Sequence, residues 1–188
     1  MKTIMYKIFA LAAAVVIATS AAVAAPKSVD ESAQSYQQLI EQVRHELVML
    51  PYFGVFDNLA YKVEGSTVTL YGQVVRPSTR KDAERRVAKL KGVERVINQI
   101  EVLPLSSFDD AVRYDTYRAL ARTGGLYRYF MGTNPSIRII VNRGHLTLEG
   151  VVATKADKDM AYVVASGVSG AFSVTNNLRA ERGEDEAY

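Results

Sequence analysis

Val63-Glu64-Gly65-Ser66-Thr67-Val68-Thr69-Leu70-Tyr71-Gly72 recurs without a gap as Val141-Asn142-Arg143-Gly144-His145-Leu146-Thr147-Leu148-Glu149-Gly150. The same offset of 78 residues carries Gly92-Val93-Glu94-Arg95-Val96-Ile97-Asn98 onto Gly170-Ala171-Phe172-Ser173-Val174-Thr175-Asn176. Extended outward, residues 36–101 against 114–179 keep 12 of 66 positions identical, among them Tyr36/Tyr114, Arg44/Arg122 and Ala83/Ala161. Low identity held in one register over so long a span is the mark of a duplicated folding unit. Each copy is long enough to own a small core. The reading is therefore two tandem domains rather than a solenoid of dependent repeats.

Local signals fill in each copy. Residues 59–63 and 67–74 alternate with period two about Glu64-Gly65-Ser66, which predicts a hairpin. Upstream, Tyr36, Leu39, Ile40, Val43 and Leu47 fall at helical spacing, predicting a helix over 35–49 that Pro51 ends. Downstream, Thr79 with Asp82 three residues on reads as a capping box. Its helix runs to about residue 91, with Ala83, Val87 and Leu90 on one face and Gly92 as its stop. A third strand follows over 93–103. The second copy repeats the order: helix 110–122, strands 137–141 and 145–152 about Asn142-Arg143-Gly144, a Thr154–Asp157 capping box, a helix to about 168, Gly170, and a strand over 173–180. Pro104 and Ser106-Ser107 form a short joint. The fold class is α+β: two small sandwiches in tandem, each helix-hairpin-helix-strand (αββαβ), a three-stranded sheet covered on one face by two helices.

The ends read differently. Residues 1–24 have the form of a signal peptide: Lys2 and Lys7, an apolar stretch over 8–17, and Ala22-Val23-Ala24 as cleavage site. The cut falls after Ala24, since Pro26 suits the second mature position better than the first. A retained membrane anchor is the rival reading, with a largely apolar stretch of 18 residues over 8–25 near the lower limit for spanning. Residues 25–34 read as a polar linker, the domains as 35–104 and 109–182, and 183–188 as an acidic tail. The chain has no cysteine. That excludes disulfide staples, a thiol nucleophile and the acylated cysteine of a lipoprotein, so export points to the periplasm. Small domains without staples rest on modest cores, and docking of one domain on the other is expected to support both. The 23 basic and 20 acidic residues become 21 and 20 once Lys2 and Lys7 leave with the signal. Charge is thus no argument for a nucleic-acid partner.

The pattern apolar-x-Leu-x-Gly-x-Val, then Ala, then Gly-Val-x-x-Val-x-Asn-x-apolar resembles the BON domain family. It stands as Val68, Leu70, Gly72, Val74, Ala83, Gly92, Val93, Val96, Asn98 and Ile100. The second copy reads Leu146, Leu148, Gly150, Val152, Ala161, Gly170, Val174, Asn176 and Leu178, departing at Ala171 where the first has Val93. The resemblance implies a non-enzymatic protein of the periplasm or outer membrane. It further implies ties to osmotic stress, envelope integrity and anionic phospholipid, and for some members a folding-aid role. It carries over no ligand set and no cofactor. The repeated glycines and asparagines read as architectural: close backbone approach at Gly72 and Gly150, helix stops at Gly92 and Gly170, local turns or caps at Asn98 and Asn176.

Chemistry has few candidates. His45 and His145 are the only imidazoles, both read as solvent-exposed and without an orienting carboxylate. Asp109-Asp110 open a helix, where carboxylates complement the dipole. Two features stand out as binding candidates. Each copy has an aromatic loop, over 50–56 and over 125–132. In the second, Tyr127, Arg128, Tyr129 and Phe130 suit a membrane interface, though such rings equally close the end of a small core. The helix after Thr154 carries Met160, Tyr162, Val163 and Val164 where its counterpart has Asp82, Glu84, Arg85 and Arg86. A helix apolar nearly all round needs a cover on its outer side. The sister domain, lipid or an envelope protein would supply it. Arg85 and Lys89 belong to a basic face of the earlier helix, either solubilising or facing anionic lipid.

Overall fold

The structure, a computed structural model, describes residues 27–182, with side chains described from residue 33. The signal-peptide, cleavage and acidic-tail expectations lie outside the described residues. The first domain runs α1 (Lys27–Val48), β1 (Asn58–Glu64), β2 (Thr67–Val74), α2 (Pro77–Val87), β3 (Arg95–Asn98) and β4 (Glu101–Val102). The second runs α3 (Ser107–Arg122), a short 3-10 turn (Tyr127–Phe130), β5 (Ile137–Asn142), β6 (His145–Thr154), α4 (Lys155–Ser166), β7 (Ser173–Asn176) and β8 (Arg179–Arg182). β2 is central, antiparallel to β1 with Val63 opposite Val68, and parallel to β3 and β4 with Val68 opposite Val96. β6 takes the same place between β5 and β7–β8. Each mixed sheet and its two helices enclose a separate core. One is built on Leu39, Val43, Val68, Leu70 and Ala83, the other on Leu120, Ile139, Leu146, Leu148 and Ala161.

The glycines and asparagines repeated in both copies act on the backbone. Gly72 and Gly150 have φ +109° and +120°, and a Cβ there would stand 2.0 Å from the Asn58 carbonyl oxygen and 1.9 Å from that of Ser136. The hairpin closes that tightly in both copies. Asn98 and Asn176 break what the sequence suggests is one unbroken third strand. Their side-chain oxygens accept from Ile100 N (3.1 Å) and Leu178 N (3.2 Å), an Asx turn that kinks the strand into two segments. Their amide nitrogens donate to the Arg80 and Lys158 carbonyls at 3.1 and 2.9 Å, tying helix to strand.

Four expectations need correction. Helix α1 starts at Lys27, so most of the expected linker over 25–34 is helical; no Gly or Pro interrupts residues 27–48. Thr79 is no cap. Helix α2 begins at Pro77, whose fixed φ suits the first turn, and Thr79 is buried inside the helix with its hydroxyl unpartnered. Thr154 is a true N-cap, its Oγ accepting from Asp157 N at 3.1 Å. Helices α2 and α4 end at Val87 and Ser166, before Gly92 and Gly170, which turn the chain a few residues later at φ +93° and +90°.

The fourth correction concerns the repeat itself. The ungapped register holds from the hairpin onward but slips by one residue in the first helices. α1 buries Leu39 and Val43, and α3 buries Thr116 and Leu120, an offset of 77. Tyr36 Oη donates to the Val63 carbonyl at 2.9 Å, and Arg113, not Tyr114, donates to the equivalent Val141 carbonyl at 2.6 Å. The identities Tyr36/Tyr114 and Arg44/Arg122 are therefore not structural equivalents.

Candidate binding surface

The domains meet through the first aromatic loop. Val55 O accepts from Ile139 N at 2.8 Å, adding one backbone bond to the outer edge of β5. Arg138 Nη1 donates to Gly54 O at 2.8 Å, and its guanidinium lies 4.5 Å above the Phe53 ring. Phe56 sets its edge against Tyr114 and Tyr117 at 5.1 and 6.4 Å, and Tyr117 in turn meets Phe130 at 5.4 Å. Asp57 holds the loop from within, accepting from Gly54 N (3.0 Å) and Val75 N (2.8 Å). Burial pushes its carboxyl above the ordinary 3.8, against the pull of those amides and of Arg138 and Arg76. Burial likewise lowers the Arg138 guanidinium from its usual value, with Asp57 opposing.

Sequence reasoning passed over these buried charges. Arg138 did leave a signal, a lone cation inside the apolar run Ile-Arg-Ile-Ile-Val. Asp109, expected merely to complement a helix dipole, is buried and accepts from Arg143 N (2.9 Å) and Gly144 N (2.8 Å), fixing the β5–β6 turn.

The second aromatic loop folds inward. Tyr129 and Phe130 are buried in their own domain, which removes both from any surface. Tyr129 Oη accepts from Ala153 N at 2.8 Å and donates to Asp157 at 3.0 Å. Arg128 joins the same carboxylate at 2.8 Å and Tyr129 Oη at 2.9 Å, so it clamps the start of α4, its side chain half exposed. The Thr154 hydroxyl, 2.6 Å away, leads the hydrogen bonds that hold the Asp157 carboxyl below its ordinary range, with Tyr129 and Arg128 adding to it. Tyr127 alone of the four candidates there is a free, exposed ring.

The outer row of α4 is uncovered. Met160 is 43% exposed, Tyr162 45% and Val163 68%, while Ala161 and Ala165 face the core. The sister domain does not supply the cover, because it docks on α3 and β5 instead. Beyond the C-terminal end of α4, Phe172 is 72% exposed and stacks on Phe108 at 5.6 Å, its ring lying against Gly144. The repeat held this signal too: Phe172 replaces Glu94, which in the first domain bonds Ser66 Oγ at 2.8 Å. On α2, Arg85 is exposed and paired with Asp82 at 2.5 Å and Arg86 reaches Glu46 at 3.1 Å, while Lys89, just past the helix end, is exposed without an ion pair.

The histidines sit at the solvent side. His145 Nδ1 lies 2.8 Å from Ser173 Oγ, and His45 lies 3.8 Å from Glu46, beyond hydrogen-bond reach. Among the described residues no cluster has the composition of a metal site, and no helix is long and apolar enough to cross a membrane.

Two helix-covered sheets of one plan, packed together through the first aromatic loop and an Asn142–Glu101 bond at 3.2 Å, define a tandem of duplicated modules. The chain belongs to the BON domain family, whose model matches residues 36–104 and 109–182. BON domains are non-catalytic binding modules, and the family is associated with membrane and phospholipid interaction. No curated protein matches the chain. Solved structures that align with it include two of CdsD, a structural protein of the type III secretion system of Chlamydia trachomatis. The C-terminal domain of CdsD is 12% identical, covers 76% of this chain and 96% of its own, and has a TM-score of 0.28. The other is 13% identical over 77% and 94%, also at 0.28. Scores so low give the likeness no structural weight.

Proposed function

We propose that the chain is an exported, non-catalytic envelope protein whose second domain makes peripheral contact with anionic phospholipid. The supporting observation is the row Met160, Tyr162 and Val163, apolar, outward and left free by the sister domain. A soluble domain gains nothing from three large side chains in water along one helix. Tyrosine at such a row suits headgroup depth. Export rests on the N-terminal segment, and mass spectrometry of the exported protein tests whether Ala25 is its first residue.

Vesicle sedimentation tests the binding. The purified chain is expected to pellet with vesicles containing phosphatidylglycerol, less so as salt rises, and weakly with phosphatidylcholine alone. Val163→Glu and Tyr162→Glu are expected to reduce pelleting at least tenfold with the folded state intact by circular dichroism. Equal pelleting of both variants and wild type discards this surface. Indifference to headgroup charge, with suppression of an unfolded client's aggregation, moves the reading to a soluble interaction module.

A further inference from the structure

The most completely built recognition site in the molecule is the one the chain fills with its own loop. The edge of β5 offers Ile139 N and the Arg138 guanidinium to two consecutive carbonyls, Val55 O and Gly54 O. Tyr114 and Tyr117 form an aromatic wall for Phe56, and Arg138 covers Phe53. The strand edge thus receives a turn, closed by Asp57 N on Gly54 O at 3.1 Å, through one backbone bond, with the rings fixing its register. The counterpart site is absent from the first domain. Ala60 stands where Arg138 does, and the longer loop over 123–136 packs into its own core. Among the described residues there is one such site and one matching segment.

What joins segment to site is short. Leu103 is buried and its N–H bonds Val74 O at 2.9 Å, and Ser106 already caps α3. Only Pro104 and Leu105 remain as a hinge, and Leu105 stands 93% exposed with nothing covering it. Short hinges of this kind favour exchange of domains between copies.

We propose that two copies of this chain exchange first domains, the Phe53–Phe56 segment of each seating on the β5 edge and tyrosine wall of the other. Exchange reproduces every docking contact and adds none. Reciprocal seating satisfies both sites and closes the assembly at two.

Light scattering coupled to size exclusion on the purified chain is the test. Wild type is expected to show a dimer fraction that rises with protein concentration. Deleting Pro104 and Leu105 prevents the loop from reaching its own second domain, so that variant is expected to be mostly dimer, and adding Phe56→Ala returns it to monomer. Mixing Phe56→Ala chains with Arg138→Ala chains restores one intact site per pair and is expected to yield a heterodimer that neither forms alone. The mixing arm does not depend on the shortened variant folding. A wild type monomeric at every concentration together with no association on mixing overturns the proposal, as does a dimer indifferent to Phe56→Ala.

Discussion

The loops after the first helix of each repeat, residues 49–57 and 123–136, occupy the same place in the duplicated unit and go to different destinations. The first anchors Leu50 and Phe53 on its own core and reaches the second domain with Val55 and Phe56. The second turns inward, burying Leu126, Tyr129 and Phe130 in its own core. Duplication preserved the hairpin, the kinked strand and the glycine contacts, all of which are backbone matters. The loops differ in length and in side chains, and with these in where they pack. A repeated fold thus carries an interface that is made once.

The largest expected effect separates these two destinations. Phe130→Ala opens a cavity in the second core and is expected to destabilise that domain by about 3–5 kcal/mol. Phe56→Ala removes a ring from between the domains, an effect of about 2 kcal/mol. Hydrogen exchange resolved to each domain distinguishes them. Phe130→Ala should raise exchange through α3, α4 and the second sheet. Phe56→Ala should leave both cores protected and release chiefly the Ile139 amide. Loss of protection throughout the first domain in Phe56→Ala would show that Phe56 belongs to the first core after all.

Acid separates them in sign. The Asp157 carboxyl, at the second loop, lies below the ordinary 3.8. Its contribution is complete above 3.8 and is lost as pH falls through the depressed value. The Asp57 carboxyl, inside the first loop, lies above 3.8. Its contribution is complete below 3.8 and is lost as pH rises through the raised value. Acidification from neutral is therefore expected to stabilise the first domain about Asp57 first and to weaken the start of α4 only later. Exchange at the amides about Asp57, read from the first-sheet strand β2, and at the Asp157 amide, corrected for intrinsic pH dependence, follows the two sites separately. Asp157→Asn should remove the late loss and Asp57→Asn the early gain. Both sites loosening together on acidification would contradict the opposed signs.

These contrasts also mark how far the sequence could be read. The hairpins, the architectural glycines and the Asn98 and Asn176 turns were legible because backbone geometry admits few residues at those positions. The one-residue slip of α1 against α3 was not, since chance identities at Tyr36/Tyr114 and Arg44/Arg122 hid it. The outward row of α4 was readable from its apolar residues, whereas for Tyr129 and Phe130 the sequence offered both a core and a membrane-facing place. An aromatic ring looks the same in sequence whether a core or a solvent face receives it. Arg138 and Asp57 lie far apart in the chain, so their joint role emerges only when the domains dock.

The smallest effect tests the misread cap, and the repeat itself supplies its logic. At the 78-residue offset Thr154 corresponds to Arg76 and Thr79 to Asp157, so the two threonines were never equivalents. Thr154→Ala deletes a hydroxyl that accepts from Asp157 N and donates to its carboxylate, and is expected to destabilise the second domain by about 1 kcal/mol. Thr79→Val instead replaces a buried hydroxyl that has no partner with a methyl of nearly the same volume. Relieving an unsatisfied group offsets the lower helix propensity of valine, so the first domain should change by less than about 0.5 kcal/mol, in the stabilising direction. Urea denaturation of both variants decides it: a loss at Thr79→Val as large as that at Thr154→Ala would mean that the Thr79 hydroxyl holds the start of α2, and that the two helices begin alike.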